Sequence, residues 1–76
     1  MSLRKQVEDK DSVELILLIK EYESAEADGI IGSGPLRDMV DDHIKHSHFY
    51  QSPLLVARDI AFECYRRIAN TCIARH

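Results

Sequence analysis

The last third of the chain most constrains its fold, because residues 52–76, SPLLVARDIAFECYRRIANTCIARH, contain no helix breaker after the opening Ser-Pro pair. Serine caps helix N-termini and proline is favoured at the first helical position. The segment therefore predicts a helix over residues 53–74, about 33 Å long. Two apolar stripes run along this helix, and they indicate at least two packing neighbours. The first stripe is Leu54, Ala57, Ala61, Cys64, Ile68 and Cys72, and the second is Leu55, Phe62, Tyr65, Ala69 and Ile73.

Two earlier helices are predicted from their start and stop signals. The sequence DSVE, which begins with Asp11, is a variant of the capping box, in which side chains at both ends of the motif bind free backbone N–H groups. Gly29 suits the left-handed conformation that ends many helices, so the first helix is predicted over residues 11–28. After the glycine-rich loop, Pro35 predicts the start of a second helix over residues 35–47.

These elements predict an all-α fold, a small three-helix domain made of a helical hairpin and a long C-terminal helix. Residues 1–76 contain no internal repeat, low-complexity tract or linker, so we expect a single domain. Apolar residues at 45% and charged residues at 30% are typical of a globular chain rather than a disordered one. A domain of this size buries only about 60% of the surface that its unfolded chain exposes, so its core is small.

The predicted helices differ in length, and this difference favours self-association. The second helix is too short to cover much of the third, so part of the apolar surface of the third would stay in water in a monomer. Since most soluble oligomers are symmetric homodimers, we expect a dimeric bundle, with docking of a partner protein's helix as the alternative. The expected interface is on the third helix and comprises Phe62, Tyr65 and Ile68 near its centre, with Leu54 and Ala61.

The sequence carries no recognisable membrane or export signal. Its longest apolar run near the N-terminus, residues 15–19, is far shorter than the roughly 20 residues needed to span a bilayer. Acidic residues occupy the positions where a secretory signal would be apolar. Cys64 and Cys72 are about 12 Å apart along one predicted helix, beyond the roughly 7 Å limit for a disulfide. We therefore expect a cytoplasmic protein with free thiols.

The net charge of −3 conceals an uneven distribution of charge. Residues 8–42 carry eleven acids against three bases, whereas residues 43–76 carry five lysines and arginines against two acids. Two halves of opposite charge attract each other within one fold or between copies. A nucleic-acid surface is more typically a basic stripe on a basic domain, so nucleic acid is not an expected partner. The loop GSGP lacks the ending of a phosphate-binding loop, and no cofactor is expected.

The segment DMVDDHIKHSH suggests a metal site as one alternative. Asp38, Asp42 and His46 are spaced by four residues, so their side chains lie along one helical face, where a carboxylate and an imidazole can share a divalent cation. A closed zinc site generally needs four ligands. The competing interpretation is that the acids are solvated and that the histidines lie at a helix C-terminus, where a partly cationic imidazole is favoured.

The segment LRDMVDDH offers a second alternative. Arg37 and His43 are separated by five residues, with a polar residue after the arginine, and this spacing resembles the motif of the HEPN helical ribonucleases. The resemblance covers seven residues and an all-α context. It implies a dimeric ribonuclease in which His43 polarises the attacking ribose hydroxyl and Arg37 stabilises the phosphate. The function that we favour is non-enzymatic: a small cytoplasmic interaction or regulatory protein that acts through homodimerisation or docking of a partner helix.

Overall fold

The computed structural model describes the backbone of residues 3–47 and 51–74 and the side chains of residues 4–47 and 51–70. Within these ranges the chain is entirely helical, with connecting turns and no strand, which confirms the all-α prediction. Helix α4 contacts each of the other three helices, and α2 also contacts α3. The helices are α1 (Leu3–Glu8), α2 (Ser12–Asp28), α3 (Pro35–Lys45) and α4 (Pro53–Ala74).

The predicted count of three helices is wrong, because α1 precedes them. This helix has only six residues, too few to display an amphipathic period in the sequence. Isolated helices of this length are unstable in water, so packing must hold it in place. Val7 supplies that packing, because its side chain is only 2% exposed and belongs to the core, and α1 contacts α4.

The ends of α2 follow the predicted signals. The side chain of Asp11 accepts a hydrogen bond from the backbone N–H of Glu14 at 2.9 Å, which is the predicted cap. At the other end, Gly29 adopts the left-handed conformation with φ 76°, and its N–H donates to the carbonyl of Ala25 at 2.8 Å. Both signals are local, which explains why the bounds of α2 agree with the prediction to within one residue.

Helix α3 begins at Pro35 as predicted, but its N-terminus is capped by another helix. The cap position is Gly34, which has no side chain to offer. A carboxylate oxygen of Glu21, on α2, accepts a hydrogen bond from the backbone N–H of Leu36 at 2.9 Å. A negative charge is favoured at a helix N-terminus, so Glu21 connects α2 to the start of α3. The helix ends at Lys45, two residues before the predicted end.

Because of this cap, we expect alanine substitutions at Gly34 and Gly32 to differ in their effect on stability. Gly34 has φ 155°, a conformation that side chains rarely adopt, and a Cβ there would collide with the carboxylate of Glu21. We expect Gly34→Ala to lower the free energy of unfolding by about 1–3 kcal/mol. Gly32→Ala is the matched control, because a Cβ at Gly32 would have no atom within 4 Å. Urea denaturation that gave both variants the wild-type midpoint would contradict this description of the loop.

The core lies between α4 and the other three helices. Its buried apolar residues are Val7, Leu15, Leu18, Ile19, Ala25, Ile31, Leu36, Val40, Val56, Ala57, Ile60, Ala61 and Cys64. The first predicted stripe of α4 is therefore buried at Ala57, Ala61 and Cys64, while the side chain of Cys72 lies outside the described residues. Val56 and Ile60, which neither stripe contained, are also buried, so the buried arc of α4 is wider than the predicted stripe.

The buried Cys64 thiol gives a chemical test of this packing. Cys64 is a free cysteine, and its burial raises the pKa of the thiol to about 11. Since only the thiolate reacts with alkylating agents, we expect Cys64 in a Cys72→Ser background to react with iodoacetamide at pH 8 at least 100-fold more slowly than in urea, as a rough estimate. Native and unfolded rates within a few-fold of each other would show that α4 is not packed as described.

None of the described helices combines the length and the apolar character that crossing a membrane requires.

Candidate functional site

An apolar surface lies on the side of α4 that faces away from the core. Leu55, Phe62 and Tyr65 are 49%, 56% and 46% exposed. Their spacings of seven and three residues place them along one side of the helix. Large apolar side chains that remain in water along one helix side are typical of a contact surface. We call these three residues the α4 apolar face.

Charged groups border this face and extend it onto α2. The guanidinium carbon of Arg58 lies 5.8 Å from the centre of the Phe62 ring, which is within the range of a cation–π interaction. The hydroxyl of Tyr65 donates to a carboxylate oxygen of Glu23 on α2 at 3.4 Å. The α4 apolar face therefore has a base along its length and an acid at its α2 edge.

Two tyrosines at this edge remain protonated at neutral pH. Partial desolvation raises the pKa of Tyr65, and the negative charge of Glu23 raises it further. The pKa of Tyr22 is raised chiefly by a hydrogen bond to the side chain of Glu26, and it is lowered slightly by the charge of Arg58. Both hydroxyls are neutral hydrogen-bonding groups, so the charge at the surface comes from the two glutamates and the arginine.

The structure places the predicted interface residues at different depths. Phe62 and Tyr65 are exposed, as an interface residue in a free chain should be. Leu54 and Ile68 are half-buried and pack against the core. Ala61 is 0% exposed and presents no surface to another chain. The exposed apolar residues thus belong to the second apolar stripe of α4. Leu55 belongs to this stripe as well, although it was not among the predicted interface residues.

Other exposed apolar residues lie on α2 and in the loop after it. They are Val13, Ile16, Leu17 and Ile30. Leu17 and Ile30 line a shallow groove at the end of α2, together with Ser33 and other residues. Ile31, the neighbour of Ile30, is buried instead and anchors the loop to the core. Charged side chains line this groove too, namely Lys20, Glu21 and Asp28, but none of the four exposed apolar residues is aromatic.

The structure brings together only part of the predicted metal site. The ring nitrogen Nδ1 of His46 lies 3.5 Å from a carboxylate oxygen of Asp42 and 2.9 Å from the backbone carbonyl oxygen of the same residue. Asp38 is not joined to this pair. Among the residues that the structure describes, no group of three histidines, cysteines or acids is close enough to hold a metal ion.

The two residues of the ribonuclease-like motif also lie apart within the chain. Arg37 forms an ion pair with Asp41 at 3.1 Å and donates to the backbone carbonyl of Ile31 at 3.1 Å, so it helps to fix the loop before α3. His43 is half-buried and lines a cavity of about 610 Å³ that Arg37 does not reach, together with Gln6, Asp42, His46, Ser47 and Gln51. Among the described residues, no arginine lines this cavity beside His43.

The α4 apolar face is therefore the surface of the described chain at which exposed aromatic side chains and opposite charges meet. Geometry and chemistry alone identify it, since no protein-family model, no curated protein and no solved structure shows a significant match to this chain.

Proposed function

We propose that the protein is a small helical interaction protein that acts by self-association, and that two copies pair through the α4 apolar face. The observation that carries this proposal is the exposure of Phe62 and Tyr65, each about half accessible, on one side of the longest helix. Aromatic residues dominate the energetics of many protein interfaces. The proposed activity is binding, with no chemical step.

The amount of accessible surface supports a second copy as the occupant. The chain has 5530 Å² of accessible surface. A compact monomer of its mass, 8.7 kDa, would have about 4,700 Å² by the usual scaling. The chain thus exposes roughly 800 Å² more than a compact monomer of its mass, and covering that excess would take an interface of about standard size.

The charges at the edge of the face also support a second copy. In a two-fold dimer each contact occurs twice, so a surface that carries both signs of charge can complement itself. Arg58 and Glu26 both act electrostatically on Tyr22, and Glu23 and Glu26 act on Tyr65 at the same edge. Two such faces can therefore place the arginine of one chain near the glutamates of the other.

Charge reversal at Arg58 tests this proposal. We expect Arg58→Glu to weaken self-association at least 10-fold, because it replaces the attraction to the partner's acids by repulsion. Lys20→Glu, which changes an exposed base on α2 outside the face, is the matched control and should associate like the wild type. Sedimentation velocity over a range of protein concentrations measures both. Equal weakening by the two substitutions would indicate a general charge effect and no specific interface.

A further inference from the structure

A cleft between α1 and α4 brings three arginine side chains together. Its volume is about 300 Å³, and it exists because the short helix α1 packs against the C-terminal half of α4. Helix α1 contributes Arg4, Val7 and Glu8, and α4 contributes Glu63, Arg66, Arg67 and Asn70. The cleft is separate from the α4 apolar face, with which it shares no residue.

The cleft has more positive than negative side chains, and two of its arginines have no ion-pair partner in the described part of the chain. Three arginines and two glutamates line it, which leaves an excess of one positive charge. Among the described residues, neither Arg4 nor Arg66 forms an ion pair or a side-chain hydrogen bond. Positive groups that share one cleft repel each other, and an anion that binds between them offsets that repulsion.

The donor groups define the kind of anion. Arginine presents a planar fork of N–H donors that matches the oxygens of a phosphate or carboxylate, and the side-chain amide of Asn70 adds further donors. Phosphate accepts such bonds from several directions at once, as a cleft lined from two helices requires. The cleft volume accommodates a small organic phosphate.

The two carboxylates restrict the ligand further. Glu8 and Glu63 repel a highly charged anion, so the cleft does not suit a polyphosphate or the backbone of a nucleic acid. They accept hydrogen bonds from hydroxyl groups. We propose that the cleft between α1 and α4 binds a phosphate monoester of a small hydroxylated molecule, with Arg4 and Arg66 on the phosphate and the glutamates on the hydroxyl groups.

Titration with glycerol phosphate, followed by NMR of the full chain, tests this site. We expect saturable changes at the side-chain amide of Asn70 with a millimolar dissociation constant, and none with glycerol. Sulfate at matched ionic strength should bind more weakly, because it engages only the arginines. Arg66→Gln should reduce the affinity at least about 10-fold, because it removes a charge-assisted hydrogen bond to the phosphate.

Arg58→Gln is the matched control, since it removes an arginine of the same helix outside the cleft. It should bind glycerol phosphate like the wild type, whatever its effect on self-association. Wild-type affinity in Arg66→Gln, with its helical circular dichroism intact, would overturn the proposal. So would a response to glycerol phosphate no stronger than that to sulfate, or displacement of glycerol phosphate by a short oligonucleotide at much lower concentration.

Discussion

Phe62→Glu is expected to abolish the proposed dimer while the chain stays folded. A charged side chain at the centre of the α4 apolar face would be buried without a partner on association. Truncation of a central interface aromatic weakens binding by about 2–4 kcal/mol, or about 30- to 700-fold. Because the Phe62 side chain is exposed within one chain, the substitution should change the free energy of unfolding of the monomer by only about 0.5 kcal/mol.

Val13→Glu provides the matched control for this variant. Val13 is 67% exposed, which is more than Phe62, and it lies in the first turn of α2, away from the proposed interface. The control should retain the dimer, since an acid in the first turn of a helix is favourable. Sedimentation equilibrium of both variants measures the effect. A monomeric Val13→Glu beside a dimeric Phe62→Glu would place the interface on α2.

Ile60→Ala is expected to destabilise the fold more than the substitution of any exposed residue. Ile60 lies in the N-terminal half of α4 and is completely buried in the core. Truncation of a buried isoleucine to alanine typically costs about 2–5 kcal/mol, because apolar contacts are lost and a cavity remains. A domain of this size is stable by only about 4–11 kcal/mol, so the variant should be partly unfolded well below the melting temperature of the wild type.

Leu55→Ala is the comparison for this prediction. It removes a similar side chain from the same helix, but Leu55 is half exposed. We expect its effect on monomer stability to be about 0.5 kcal/mol or less. Thermal unfolding followed by circular dichroism, at a concentration low enough to dissociate the dimer, measures both variants. Equal effects of the two substitutions would mean that the buried side of α4 has been misassigned.

The parts of the fold that were predictable depend on neighbouring residues in the sequence. Asp11 and Gly29 determine the ends of α2 through bonds to residues within one turn, and Pro35 and Pro53 begin α3 and α4 where expected. Each of these signals acts over a few residues. Sequence reading alone could therefore locate three helices and assign the fold class.

Features that depend on distant contacts were not predictable. Helix α1 is held by the burial of Val7, and the cap of α3 comes from Glu21, fifteen residues before Leu36. The sequence of α1, LRKQVE, does not predict the burial of Val7, and the loop GSGP does not predict a cap from Glu21. Ile60 is also part of the core, although neither predicted stripe of α4 contained it.

The candidate site was predictable in part for the same reason. Periodicity predicted two apolar stripes on α4, but it omitted the buried Val56 and Ile60 and could not decide which stripe faces the core. The first stripe is the one buried in the described chain, and Ala61 with it, while Phe62 and Tyr65 of the second are exposed. The arginine cleft could not be predicted at all, because it requires α1 to lie beside residues some sixty positions later in the chain.

The measurement that tests self-association most directly is the mass of the wild-type protein in solution. Sedimentation equilibrium at about 100 µM should give twice the chain mass of 8.7 kDa, and dilution should shift the average toward the monomer with a micromolar dissociation constant. A single species of 8.7 kDa at the highest concentration would contradict the account, and the α4 apolar face would then remain in water.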